Sequence, residues 1–400
     1  MRPIKSLISI EEAKKIIDSR VVPVNRYEAV HLSEATGRVT AESVHSTLDI
    51  PPFDRAAMDG YAIIAQDSFG VSKQTTTRLH LFGKIHAGEV PGEKVSQGTC
   101  LQIATGAVMP EGADAVIMVE YTELEGNEVV LTKPVYPGEN ISRAGTDINK
   151  GALVLEAGTV LKPAHIGSLS AIGLDAVKTY VKPGVTVIST GDEVVPPPRE
   201  LGGGQVYDVN SYTTASLLTQ NGAEICLRGP CKDDPEAIVD LLKDEDADVV
   251  VFTGGSSVGE RDILIDALES HGEVLFHGIA VKPGKPTLFA TKGQQLIFGM
   301  PGYPASCLSN GYMLLVPVVR KMAHLPDLVK RTKDLPLGQR VVSSVGRHQL
   351  LTVTVEDNVA VPAFKESGAI TSMSKADGYI EILSNVDLVD KGEIVKVTFF

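Results

Sequence analysis

Lys282-Pro283-Gly284-Lys285-Pro286 sets two ammonium groups three residues apart, on a backbone that two prolines pin and one glycine frees. Rigid placement of two positive charges suits a phosphate or another oxyanion better than it suits the alternative, a charged surface turn. Two more glycine-rich turns flank it. Thr253-Gly254-Gly255-Ser256-Ser257-Val258-Gly259-Glu260-Arg261-Asp262 could cradle phosphate through backbone N–H groups. It is neither a P-loop, since no Lys-Ser/Thr follows its last glycine, nor a dinucleotide GxGxxG. Pro301-Gly302-Tyr303-Pro304-Ala305-Ser306 joins a strand to a helix, where the first helical N–H groups and the Ser306 hydroxyl favour an anion. A plain proline-initiated helix has the same spelling.

Carboxylates stand near these turns. Thr190-Gly191-Asp192-Glu193 is either a solvated acidic turn or a seat for a hard cation such as Mg²⁺, which takes oxygen ligands. Asp208 and Asn210 precede a helix and can cap it or face a ligand there. Asp262 opens another helix, where a carboxylate is stabilised in any case. Pro51-Pro52-Phe53-Asp54-Arg55-Ala56-Ala57-Met58-Asp59-Gly60-Tyr61-Ala62 is dense in special residues, but nothing in it names its chemistry. Thr105-Gly106-Ala107 and Asp147 are likewise polar groups at turns.

Bulk composition narrows the partners. The 400 residues exceed one ordinary domain, and 43% hydrophobic with 22% charged residues is ordinary for a globular protein. A net charge of −13 and the lack of tryptophan argue against non-specific nucleic-acid binding. They leave room for a small anion, because charges are screened beyond a Debye length of ~8 Å. Four unevenly spaced cysteines (100, 226, 231 and 307) fit a reducing compartment, and the nine histidines show no ligand spacing. No apolar stretch reaches the ~20 residues of a membrane span, and the N-terminus lacks a signal-peptide pattern. A soluble, cytoplasmic protein is expected.

The elements that must position these residues follow from periodicity and turn signals. Helices are predicted over Ile10–Ser19, with Ser9 and Glu12 at capping-box spacing, and over Tyr27–Thr36. Residues 51–145 are β-rich, with strands near Leu79–Ile85, Cys100–Ile103, Ala115–Val119 and Glu128–Thr132. A helix is predicted over Ala164–Ile172. From 184 to 325 apolar strands (Val185–Ser189, Ala223–Leu227, Val249–Phe252, Gly278–Val281, Leu296–Phe298) alternate with helices (Tyr212–Asn221, Asp233–Lys243, Arg261–Ser270, Ala305–Lys321). That alternation means βαβ units and a parallel sheet, whose ligands bind outside the carboxyl ends of the strands. Residues 330–400 return to β structure, with strands Leu350–Val355, Val359–Pro362, Tyr379–Ile382 and Ile394–Phe400 forming a small barrel or sandwich.

Taken together, PPFDRAAMDGYA, ATGAVMPEGADAVI, TGDE, GGSSVGERD, KPGKP and GMPGYP occur in the order found in the molybdopterin molybdenumtransferases. The chain thus resembles the MoeA and gephyrin E-domain family along nearly its whole length. The resemblance implies a multidomain α/β and β protein in four parts. These are an elongated helical/β dimerisation domain (1–50 plus 146–182), an inserted β-domain (51–145), an α/β molybdopterin-binding domain with a parallel sheet (183–326) and a C-terminal β-barrel (327–400). It implies insertion of molybdenum, or tungsten, from the oxyanion into adenylyl-molybdopterin with release of AMP and with Mg²⁺ as divalent cation. It also implies a homodimer whose active site is shared between subunits, and a molybdopterin adenylyltransferase as a further partner.

Carried over residue by residue, Asp59, Thr105, Asp147, Glu193 and Asp233 match catalytic positions, and Asp59, Glu193 and Asp262 the metal set. Asp208, Gly254, Gly255, Ser257, Lys282, Lys285, Pro286, Pro301, Pro304, Ser306 and Ser367 match substrate positions. The family's C-terminal arginine falls near Thr352, with Arg347 as a substitute. Gly278 stands where the family often has lysine, and PGYP replaces the commoner PGNP. A non-catalytic molybdopterin carrier or scaffold, or a molybdopterin adenylyltransferase, are the competing readings. The absence of an extra scaffold region speaks against the first, and the matching 51–145 and 330–400 regions against the second.

Overall fold

A computed structural model describes residues 7–243, 245–254, 263–269, 271–363 and 368–400. The chain packs as two units, one of residues 1–28, 37–39 and 180–400, the other of residues 29–36 and 40–179.

The larger unit is built on a six-stranded sheet. Its order is Glu224–Cys231, Gly184–Thr190, Val249–Thr253, Gln295–Met300, Leu288–Lys292, Glu273–His277. The first four strands are parallel and the last two antiparallel. Alternate side chains serve opposite faces, as the two-residue period of a strand requires. Val249, Val251, Leu296 and Phe298 join one buried cluster with Leu217, Leu218 and Leu314. Val250, Phe252 and Ile297 join another with Ile238, Leu242, Leu264 and Leu268. Helix Ile10–Asp18, capped by Ser9, lays Ile10, Ala13 and Ile17 into the first cluster.

The predicted strand Gly278–Val281 is not part of this sheet. Gly278 takes a left-handed φ of 98°, and Val281–Lys282 pairs instead with His348–Gln349. The antiparallel strands Glu273–His277 and Leu288–Lys292 stand in the sheet in its place. The long last helix is continuous over Pro304–Met322, with a π-helical segment at Gly311–Leu315. Pro317 cannot donate to the turn before it, and the widened turn sits immediately upstream.

The C-terminal strands form a five-membered ring. Val359–Pro362 pairs with His348–Glu356, which pairs with Gly378–Ile382, then Ile394–Phe399, then Thr332–Pro336. Leu337 bridges back to Ala360, closing the barrel around Leu335, Leu351, Val353, Ile380 and Val397.

The smaller unit centres on a second six-stranded sheet. Its order is Ala115–Met118, Gly60–Ile63, Thr99–Ile103, Thr77–Ile85, Glu128–Leu131, Thr122–Glu125. Helix Pro163–Ala171 follows it in sequence. The predicted helix Tyr27–Thr36 is instead a strand, Tyr27–His31, and a 3₁₀ turn, Leu32–Glu34; the strand pairs with Ala176–Tyr180. Within the strand Tyr27–His31 only Val30 is buried, and Leu32 and Ala35 follow it in the turn, so ladder pairing rather than a helical apolar face decides its conformation.

Candidate active site

In the larger unit three turns meet at the carboxyl ends of parallel strands. A Cβ on Gly254, whose φ is 99°, would lie 2.5 Å from the Thr190 carbonyl oxygen, and one on Gly302 would lie 3.7 Å from Gly254 Cα. Glycine is therefore required at 254 by both conformation and closeness. The Gly254 N–H donates to Met300 O, and Asn210 Nδ2 donates to Gly302 O at 2.8 Å. Around these turns the buried atoms Thr190 Oγ1, Thr253 Oγ1, Asn210 Oδ1 and Ser211 Oγ have no hydrogen-bond partner among the described residues. Unpaired polar atoms in a folded interior cost ~1–3 kcal/mol each, so their grouping at a strand-end crevice marks a polar binding surface. Asp208 does cap its helix: its Oδ1 accepts from Ser211 N–H at 3.0 Å.

The Lys282–Pro286 turn lies between this sheet and the barrel edge. The Ile279 and Thr287 N–H groups both donate to Lys285 O, and His348 N–H to Ala280 O. Lys282 and Lys285 are half-buried, and neither ammonium has an ion-pair partner among the described residues. Asn310, fully buried and not anticipated from sequence, lies under the turn. Pro301 and Ser306 are buried and Pro304 is half-buried, while Tyr303 between them is 66% exposed. Arg347 is half-buried in the turn that starts the strand paired with Val281–Lys282. Thr352 is buried with its hydroxyl unpartnered among the described residues.

The acids of this unit gather beside the same strand ends. Thr190 pairs in register with Cys231, two residues before Asp233. Asp233 has its carboxyl held above the ordinary value by burial first, then by the charges of Glu193 and Asp192. Gly191 allows the approach: a Cβ there would crowd the Glu193 carboxylate at 2.8 Å. A divalent cation would relieve this repulsion, so the donor set fits Mg²⁺. Among the described residues no three His, Cys, Asp or Glu side chains are already gathered as a metal cage. Mg²⁺ needs none, since it is commonly held by one or two carboxylates, waters and substrate phosphates.

In the smaller unit Asp59 and Thr105 are brought together by sheet register. Gly60 pairs with Ile103, so the residue before one strand faces the turn after its neighbour. Asp59 Oδ1 accepts from the Thr105 N–H at 2.7 Å and the Thr105 hydroxyl at 2.9 Å. These two bonds, the backbone one foremost, hold the exposed Asp59 carboxyl below its ordinary range. A Cβ on Gly60 would overlap the Ile117 carbonyl oxygen, so only glycine lets the strand begin there. Asp54, to which sequence reading gave no role, ties this loop to the next: its carboxylate accepts from Ala144 N–H at 2.8 Å and Arg143 Nη1 at 2.6 Å. Its proton affinity is lowered chiefly by that backbone bond. Asp147 is exposed on the same strapped loop, its N–H donating to Ile50 O. The signal for Asp54 was available, since an acid followed by Arg amid prolines invites a backbone-binding carboxylate.

Of the expected residues, Gly255, Ser257, Asp262 and Ser367 lie outside the described residues. Of the metal set, Asp59 and Glu193 belong to different units.

Comparison with known proteins matches three family models in order. These are the MoeA N-terminal region (domains I and II) at residues 8–173, a probable molybdopterin binding domain at 186–321, and the MoeA C-terminal region (domain IV) at 334–400. A putative molybdopterin biosynthesis protein of Methanocaldococcus jannaschii is 32% identical over 99% of both chains. A molybdopterin molybdenumtransferase of Haemophilus influenzae is 36% identical over 79% of this chain and 78% of its own. A crystal structure of a molybdopterin biosynthesis MoeA protein from Pyrococcus horikoshii superposes with a TM-score of 0.84 at 40% identity. It covers 98% of this chain and 99% of that one.

Proposed function

The chain belongs to the MoeA family, and on that premise we propose that it is a molybdopterin molybdenumtransferase in molybdenum cofactor biosynthesis. It inserts molybdenum, or tungsten, from the oxyanion into adenylyl-molybdopterin and releases AMP. The observation that carries this reading is the crevice at the carboxyl ends of the parallel strands. Its Thr190, Thr253, Asn210 and Ser211 atoms, unpartnered among the described residues, offer polar contacts, and two lysines without ion partners among those residues stand in the same unit.

Each part has a task. Lys282 and Lys285 hold an oxyanion by charge, and Gly254 and Gly302 let the substrate approach backbone. Asp59, kept ionised by Thr105, accepts a proton or orients a water at the phosphoanhydride. Positioning and charge stabilisation account for most of the rate. Glu193 and Asp233, with Asp192 beside them, would hold Mg²⁺. When bound, that ion neutralises the pyrophosphate and polarises its phosphorus–oxygen bonds.

A homodimer, in which one copy supplies the Asp59–Thr105 pair to the other copy's crevice, belongs to the same proposal. So does a cytoplasmic setting, in which an adenylyltransferase supplies the adduct; no described helix is long and apolar enough to cross a membrane. The test is AMP release from adenylyl-molybdopterin with Mg²⁺ and either molybdate or tungstate. Oxyanion-dependent release that Asp59→Ala abolishes supports the reading, and tight binding of the adduct without any release overturns it.

A further inference from the structure

We infer that Asn310 is a positioning residue that sets the spacing of Lys282 and Lys285 through the turn between them. Asn310 is fully buried in the long helix. Its Nδ2 donates to Gly284 O at 2.8 Å and to Thr287 Oγ1 at 2.7 Å, and the Thr287 hydroxyl donates to Gly284 O at 2.9 Å. The result is a closed triangle on the middle residue of Lys-Pro-Gly-Lys-Pro. Gly284 takes a φ of 101°, and a Cβ there would collide with the Asn310 amide, with Oδ1 only 2.6 Å away. The turn therefore fits this one side chain, and the lysines leave it on either side without an ion pair among the described residues. The two lysines are tied at their outer sides by the Lys282–Gln349 ladder pair and by the bonds to Lys285 O, which leaves Gly284 as the joint between them. A turn with a left-handed glycine at its centre has a soft backbone, and the buried amide is what removes that softness.

This inference rests on the proposed role of the two lysines in holding an oxyanion. It is tested without turnover, by calorimetric titration of the full-length protein with tungstate. Asn310→Leu keeps the branched outline of the side chain and deletes both N–H donors. It is expected to weaken tungstate binding about ten-fold while a Lys282→Ala/Lys285→Ala double variant weakens it further. Adding Asn310→Leu to that double variant should then cost nothing more, because the residue acts through the lysines. Thr287→Val removes one corner of the triangle with little change of shape and should weaken binding in the same direction, which serves if Asn310→Leu does not fold.

Three results would overturn the inference: wild-type affinity in both Asn310→Leu and Thr287→Val, a full additional loss in the lysine-free background, or no lysine-dependent binding of tungstate by the wild type. Absence of AMP release alongside intact, Asn310-dependent tungstate binding would instead remove the transferase reading and leave this one standing.

Discussion

Thr105 gives both its N–H and its hydroxyl to the same oxygen of Asp59, at 2.7 and 2.9 Å. One carboxylate oxygen is thereby committed to the protein. Thr105→Val keeps the backbone bond and removes the other, so the Asp59 carboxyl should move back up towards its ordinary value. Loss of one hydrogen bond to a charged group predicts roughly a ten-fold fall in turnover. An NMR titration of Asp59 in both proteins, with AMP release measured alongside, checks both effects; an unmoved carboxyl would show that the hydroxyl is idle.

Asp233 should trade stability for activity. Its carboxyl is raised by burial and by neighbouring carboxylates, so at neutral pH its charge opposes folding. Asp233→Asn is expected to leave Tm unchanged or slightly higher without Mg²⁺, and to weaken the Mg²⁺ dependence of AMP release by about ten-fold or more. A clear drop in Tm without the cation would mean that the carboxylate is structural.

Glu381 in the barrel accepts from His348 at 3.0 Å and Lys330 at 3.0 Å, and its carboxyl is lowered to about 2, with the His348 bond the largest cause. A depressed carboxylate stabilises the fold above its unfolded pKa, and the contribution disappears as pH falls from about 4.5 towards about 2. Discounted for partial exposure, it is on the order of 2 kcal/mol. Thermal melts of wild type and Glu381→Gln should differ at pH 6 and converge near pH 2.

Gly60→Ala should destabilise the smaller unit by roughly 3 kcal/mol or more, because the added methyl would overlap the Ile117 carbonyl and press on Val116 Cγ1. Gly37→Ala, at a left-handed position with open space around it, should cost only about 1 kcal/mol. Urea unfolding of the two variants ranks them; equal midpoints would refute the steric argument.

Of the four cysteines only Cys226 is exposed. Burial pushes Cys100 and Cys307 up to about 12 and raises Cys231 as well. One thiol should therefore react quickly with an aromatic disulfide reagent at neutral pH, and Cys226→Ser should abolish that phase.

The parallel sheet was legible because both faces of strands such as Val249–Thr253 are buried, and a continuous apolar run announces that. What failed was whatever depended on distant partners. Val281 looks like its apolar neighbours in sequence, yet its ladder partner is His348. Tyr27–His31 carries no strand signature of its own and becomes one by pairing with Ala176–Tyr180. Asn310 was invisible as a site residue because it acts on the backbone of Gly284. Backbone acceptors and donors leave no trace in residue identity.

The loan of Val281–Lys282 to the barrel sheet bears on how such a chain can be inherited. A recombination breakpoint in the covalent link near residue 327 would look clean in the gene. It would nevertheless set one parent's Val281–Lys282 against the other parent's His348–Gln349 in a single ladder. Swaps of the C-terminal barrel between relatives should therefore disturb the lysine turn least when both segments come from the same parent.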